Sequence, residues 1–485
     1  MNQRHRPIQL SRFLGYPLTR RQRVLTWTLI GVLAYGLVRV LGGIDSGDSF
    51  EVIVPSWAIA HGSLACAFPS GGVDGNPFGA PLYAFLTAGP VALLHLGSAV
   101  AFPSGAALGP HCASAAASIV HWATFANAIT PTLQFSYVAP LALAIGAVFL
   151  IRARGQGRSV WEPITVALLL LAPPVISAFI DYFHPQDLIA LGLILAALGA
   201  GLRARWGLAG VILAVAFASQ QFALLAIAPL VVILPARERR RLVFAVGAVL
   251  IPVSVALYRV SSLSALRVLL FGSDRITLGA NLFTSRGGTV LWELHLHGSL
   301  LFVLTRAAPV VVAMVLARAV ARRPELASDP LTLVSLVGVG LTLRLVFEVN
   351  LFGYYFAAAA VMLVVLDVLQ GRLRATTLVW LSLSGIAFYP APQSASAVHV
   401  VFITAVAAVV VARILQGALG HHVRWGAIAY GVVLITVNVV FASPFVHHAL
   451  AVPGWAWQAV LVPWVLWLLG APLAAAFRPA AAVAG

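Results

Sequence analysis

An all-α, polytopic membrane protein of about 13 to 14 spans is what the sequence predicts, from three observations. Apolar runs of about 16 to 25 residues recur along the chain, long enough to cross the roughly 30 Å hydrocarbon core as helices. Of the 485 residues, 61% are hydrophobic and 9% charged, with a mean hydropathy of +0.98, which excludes a soluble globular domain. The Leu/Ala/Val blocks are continuous rather than alternating, which excludes a transmembrane barrel.

In chain order the spans fall near 24–42, 123–151, 161–180, 187–202, 207–235, 242–260, 299–321, 330–347, 353–370, 376–389, 398–415, 426–443 and 456–476. The Arg-rich N-terminus, Arg4 to Arg23, lacks a small-residue cleavage site behind a short apolar core. It therefore reads as leading into a retained first helix rather than a signal peptide. The joints between spans alternate in charge. Arg152/Arg154/Arg158, Arg203/Arg205, Arg237/Arg239/Arg240/Arg241, Arg318/Arg322/Arg323, Arg372/Arg374 and Arg413/Arg424 share the side of the N-terminus, the cytoplasmic side by the positive-inside rule. All 30 basic residues are Arg, so Schiff-base and lysine-nucleophile chemistry are excluded. The formal charge of +16 is spread over short loops instead of one stripe, which is the mark of topology and not of nucleic-acid binding.

Two segments need a special path. Residues 207–235 begin and end at inner arginines, so this stretch crosses twice or dips and returns, with Ser219-Gln220-Gln221 at its apex. Its arms are too short for a full crossing, which puts the polar apex in a protein-lined environment. Residues 79–101, interrupted by Pro81, Pro90 and His95, read as a helix on the outer surface. The resulting domains are a cytoplasmic N-terminus at 1–23, a transmembrane module at 24–260 with a long first extracytoplasmic loop at 43–122, an outer loop at 261–298, a C-terminal transmembrane module at 299–476 and a cytoplasmic tail at 477–485. Both termini are then inside. Asp45, Asp48, Glu51, Asp74, Asp181, Asp187, Asp274, Glu293 and Glu348 fall outside, against Glu162, Glu238, Glu325, Asp329 and Asp367 inside.

The outer face is thus where chemistry is expected. Asp45, Asp48 and Glu51 follow the first span at spacings of three, which on a helix places three carboxylates on one face. Such groups at a membrane surface suit proton abstraction from a hydroxyl and orientation of a substrate. A solvated loop ending the first helix is the alternative. Cys66 and Cys112 lie in the same loop and form either a disulfide across it or two small buried hydrophobes.

Further along, His184-Pro185-Gln186-Asp187 opens a span, so His184 sits at a helix N-terminus suited to an anion, or else the segment is a capped turn. Arg344 and Glu348, four apart and followed by Asn350 and Tyr354-Tyr355, offer a planar phosphate-binding fork, or a purely structural ion pair. Arg306 and Arg286 are lesser candidates for the same work. Glu293 with His295 and His297 lacks the helical spacing of zinc ligands, so no metal site is expected.

These elements together resemble the GT-C superfamily of membrane glycosyltransferases, which use polyprenyl-phosphate sugars, and especially its actinobacterial mannosyl- and arabinosyltransferase-like members. The resemblance covers most of residues 24–370. It rests on Gly47-Asp48-Ser49-Phe50, Trp57-Ala58-Ile59-Ala60-His61-Gly62, Ala80-Pro81-Leu82-Tyr83, the run from His184-Pro185-Gln186-Asp187 to Ser219-Gln220-Gln221, and Arg344 to Tyr355. It implies a bacterial plasma-membrane enzyme that transfers sugar from a polyprenyl phosphate to a glycolipid or polysaccharide acceptor at the outer face, with inversion and no obligatory cofactor. Asp48 matches the family's presumed base, with Asp45 second. Glu51, His184, Asp187, Gln220, Gln221, Arg344, Glu348, Tyr354 and Tyr355 become the substrate- and phosphate-binding candidates. Members of that family often carry a lysine at the hairpin apex where this chain has Gln220; if that lysine holds donor phosphate, this chain must use arginine instead or has lost the activity. The competing expectation is a lipid-linked sugar flippase or small-solute transporter, which would predict internal repeats and broken helices in matching halves. The sequence has one short hairpin and no convincing repeat.

Overall fold

The computed structural model describes residues 82–96, 135–155, 161–180, 184–261, 303–323, 329–348, 352–371, 374–388 and 454–476, with isolated positions between 19 and 31 and at 56, 59, 60, 300 and 326. Asp45, Asp48, Glu51, Cys66 and Cys112 lie outside the described residues, as do nearly all of the loop at 261–298, the spans placed at 398–415 and 426–443, and the tail at 477–485.

Every regular element among the described residues is helical. In order these are α1 (Leu82–Leu96), α2 (Val138–Ala153), α3 (Trp161–Leu171), α4 (Pro173–Ile180), α5 (Pro185–Leu202), α6 (Trp206–Ser219), α7 (Leu224–Ile233), α8 (Ala236–Ser261), α9 (Ala308–Ala321), α10 (Pro330–Phe347), α11 (Ala357–Leu369), α12 (Ala375–Phe388) and α13 (Gly454–Ala476). Five helical stretches, Pro185–Leu202, Ala236–Arg259, Val303–Ala321, Pro330–Phe347 and Ala456–Ala474, are long and apolar enough to cross a membrane. Large apolar side chains point out of the bundle, with Trp467 66% and Val315 62% exposed. Such surfaces are costly in water and at home in hydrocarbon, consistent with a multi-pass membrane protein.

Apolar length and proline explain the element boundaries. The span expected at 161–180 is interrupted at Ala172, because Pro173 and Pro174 remove two backbone donors and hold the preceding residue out of the helical region. α8 starts earlier than its apolar run and takes Arg237 to Arg241 into its first turns. The segment at 353–370 opens with a 3₁₀ turn, Gly353–Phe356, before α11 begins.

α11 lies at the centre, buried nearly all round as a core helix must be. It packs on α3, α4, α10 and α13. α2 and α5 form the closest pair, and glycine is the reason. A Cβ on Gly146 would fall 2.0 Å from the Gly192 carbonyl oxygen, and one on Gly192 would fall 2.4 Å from the Ala142 carbonyl, so the two backbones meet only without side chains. The stretch at 207–235 does form two arms, α6 and α7, which diverge to different partners: α6 packs on α5 and α8, α7 on α9 and α10. Gly340 of α10 allows the second contact, since a Cβ there would lie 2.5 Å from the Leu225 carbonyl oxygen.

Ion pairs staple the end of the bundle remote from residues 184–187. Arg152 grips the buried Glu162 with two bonds of 2.9 Å. The fully buried Asp367 accepts from Arg374 Nε at 2.6 Å and from its backbone N–H at 2.8 Å. Asp329 caps α10 by accepting from the Thr332 N–H at 2.8 Å.

Candidate functional site

The opposite end of the bundle gathers polar residues from five stretches of chain. Pro185 starts α5, its fixed φ suiting the first helical position, and His184 precedes it as a buried N-cap with a non-helical backbone. The His184 N–H donates to the Ala178 carbonyl at 2.6 Å, which closes the α4–α5 turn. The His184 ring is stacked face to face on Tyr354, centroids 4.1 Å apart, and its Nδ1 is 3.0 Å from Gln186 Nε2.

The apex between α6 and α7 is latched onto this turn. Gln220 adopts an extended conformation that ends α6, and its Nε2 donates to Asp187 Oδ1. Its Oε1 accepts from the Gln221 N–H at 3.2 Å. Ser219 Oγ donates to the Gln186 carbonyl at 3.1 Å. Both ends of the Gln220 amide are therefore engaged, one of them on a buried carboxylate. This is chemistry that a neutral amide performs without adding charge.

Arg344, in the last turn of α10, supplies the cation. Its Nε donates to Glu348 Oε2 at 3.3 Å, and its guanidinium carbon lies 4.0 Å from the centre of the Tyr355 ring and 5.8 Å from that of Phe222. A stacked guanidinium is held flat while keeping its edge available for hydrogen bonds. Its two terminal nitrogens have no hydrogen-bond partner among the described residues. Arg306, on a π-helical turn at Val303–Ala307 ahead of α9, brings Nη1 to 3.9 Å from the same Glu348 oxygen. One buried glutamate thus gathers two arginines.

The floor beneath these charges is aromatic. Tyr354 and Tyr355 meet edge to face at 4.5 Å, Phe352 lies parallel to Tyr354 at 6.0 Å and edge-on to Tyr355 at 5.4 Å. Gln458 of α13 fixes the whole corner by donating from Nε2 to the Leu345 carbonyl at 2.7 Å, satisfying a carbonyl that the end of α10 leaves unpaired.

Eight of the residues singled out in the sequence therefore lie at one end of the bundle: His184, Asp187, Gln220, Gln221, Arg344, Glu348, Tyr354 and Tyr355. Asp48, Asp45 and Glu51 lie outside the described residues, as do Arg286 and Asn350. Phe222, Phe352 and Gln458 join the site without having been expected. The first two adjoin the hairpin apex and the Tyr pair, so an aromatic flanking a polar motif was the available signal. Gln458, more than a hundred residues away, had none. Among the described residues, no group of His, Cys, Asp or Glu is arranged to hold a metal ion. Comparison with known protein families, with curated proteins and with solved structures finds no match for the chain.

Proposed function

We propose that this cluster binds the phosphate and sugar of a polyprenyl-phosphate donor, and that the protein is a GT-C-like glycosyltransferase of the bacterial plasma membrane, acting at its outer face. The observation that carries the reading is the convergence of His184 and Asp187, Gln220, Arg344 with Glu348, and the Tyr354-Tyr355 pair at one end of an apolar helical bundle. A lipid-borne anion with a polar head needs this combination of arginine fork, hydrogen-bonding groups and aromatic surface beside a hydrocarbon-facing body.

In the proposed reaction Asp48 takes the proton of an acceptor hydroxyl on a glycolipid or polysaccharide. The acceptor oxygen attacks the anomeric carbon, and the bond from that carbon to the phosphate oxygen breaks with inversion. The lipid phosphate leaves with the electron pair. Arg344, with Arg306 beside it, offsets the charge that builds on the phosphate, and charge stabilisation of this kind requires no metal. His184 and Asp187 orient the sugar. In this reading Gln220 stands where members of the family that the sequence resembles often carry an apex lysine; it supports Asp187, which leaves the phosphate to the arginines.

The test is transfer from labelled polyprenyl-phosphate sugar in membranes containing the protein. Arg344→Gln should lower transfer by about 100-fold or more, the scale of losing one aimed donor to developing charge. Wild-type rates in this variant at every donor concentration would remove the cluster from the reaction.

A further inference from the structure

The arginines at the end remote from the cluster have no part in that reaction. Of the five long apolar stretches among the described residues, the one in α8 has the smallest buried share. Its inner side packs on α6, where Gly210 meets Leu242 and Ala245. Its outer side is a stripe of Arg237, Arg240, Arg241, Phe244, Ile251 and Val255, which fall on one face because Arg240 and Arg241 are adjacent and the other steps are three, four or seven residues. All six are exposed, Phe244 at 79% and Ile251 at 65%.

These arginines form no ion pair among the described residues, and Arg240 makes only a 3.4 Å bond to the Ala236 carbonyl of its own helix. Gly210 and Leu242 both lie in the second turn of their helices, so α6 and α8 start side by side. That brings the exposed Arg203 and Arg205, just ahead of α6, to the same corner. Positive charge thus accumulates at the head of an uncovered apolar stripe.

We propose that the first turns of α8 bind the headgroup of an anionic phospholipid whose acyl chain lies along Phe244, Ile251 and Val255. The rise from Phe244 to Val255 is about 16 Å, the depth of hydrocarbon in one leaflet. Guanidinium forks suit a phosphodiester oxygen pair, and clustered arginines beside a membrane span favour anionic over neutral lipid. A soluble anion or an acidic protein would meet the arginines but leave the stripe one turn further along uncovered. A lipid covers both. This inference does not depend on the glycosyltransferase reading.

The experiment uses the full chain in nanodiscs of phosphatidylcholine with and without phosphatidylglycerol. Lipid retained after transfer to detergent is measured by native mass spectrometry, and thermal unfolding is followed alongside. Phosphatidylglycerol should be retained over phosphatidylcholine and raise Tm. The triple variant Arg237→Gln, Arg240→Gln, Arg241→Gln should lose that preference by about tenfold or more, given the attraction each arginine contributes at an anionic surface. The triple Lys variant, which keeps charge, should keep most of it and shows that loss is not misfolding. Equal retention of both lipids by the wild type, or an unchanged preference in a folded Gln variant, overturns the proposal. So does equal protection by inorganic phosphate in neutral nanodiscs, which would mark a site for a free anion.

Discussion

Arg344 is held by its Nε and by one ring face, so its role depends on shape as well as charge. Lysine keeps the charge but neither the stacking on Tyr355 nor the fork. Arg344→Lys is therefore expected to transfer sugar faster than Arg344→Gln and well below wild type, measured as initial rates in the same membranes. Full activity of the lysine variant would reduce the site to a point charge. Gln220 makes a different prediction. Its amide serves the buried Asp187, and Gln220→Leu removes that donor and leaves a carboxylate without it, at a cost of about 1–3 kcal/mol. Purified Gln220→Leu should unfold at lower temperature than wild type, whereas Gln220→Glu, which sets two carboxylates together, should be worse still. At the other end, Asp367 is fully buried against Arg374, and Asp367→Ala strands a cation. Breaking such a pair costs about 3–5 kcal/mol, which thermal unfolding in detergent would register.

At the scale of elements, the α2–α5 contact depends on Gly146 and Gly192. Gly192→Leu puts a side chain where the Ala142 carbonyl already lies, and overpacking of this kind costs about 1–3 kcal/mol or separates the helices. Because His184 and Asp187 sit at the head of α5, the variant should lose activity as well as Tm. An unchanged Tm would mean that the two backbones are not in contact. Much of this level was legible beforehand. Apolar runs located α5, α10 and α13 to within about two residues, and counting arginines led to the turn at Ser219-Gln220-Gln221 that α6 and α7 make. The break at Ala172 was written in Pro173-Pro174 but was outweighed by the apolar run on either side. The π turn that brings Arg306 to Glu348 had no signal, since Val303–Ala307 reads as ordinary helix. Nor could the stacking of His184 on Tyr354 be read, because it is a tertiary contact between residues 170 apart and leaves no local pattern.

For the whole molecule, the ends of the bundle differ in kind. One end carries paired, structural charges and exposed arginines, and the other carries the cluster of His184, Gln220, Arg344 and the tyrosines. On the proposed topology, read from the positive-inside rule, the arginine end would be cytoplasmic and the cluster would share the outer side with the loop that bears Asp48. A membrane-impermeant thiol reagent applied to intact cells should label a cysteine introduced at Gln221 in preference to one at Arg205. The reverse pattern would invert the topology and detach Asp48 from the proposed reaction. The most direct measurement is transfer from labelled polyprenyl-phosphate sugar by Asp48→Asn membranes that contain the protein at wild-type level. Loss of the proposed base should slow transfer by about 100-fold to 10,000-fold while donor binding persists. Transfer at the wild-type rate by Asp48→Asn would contradict the account.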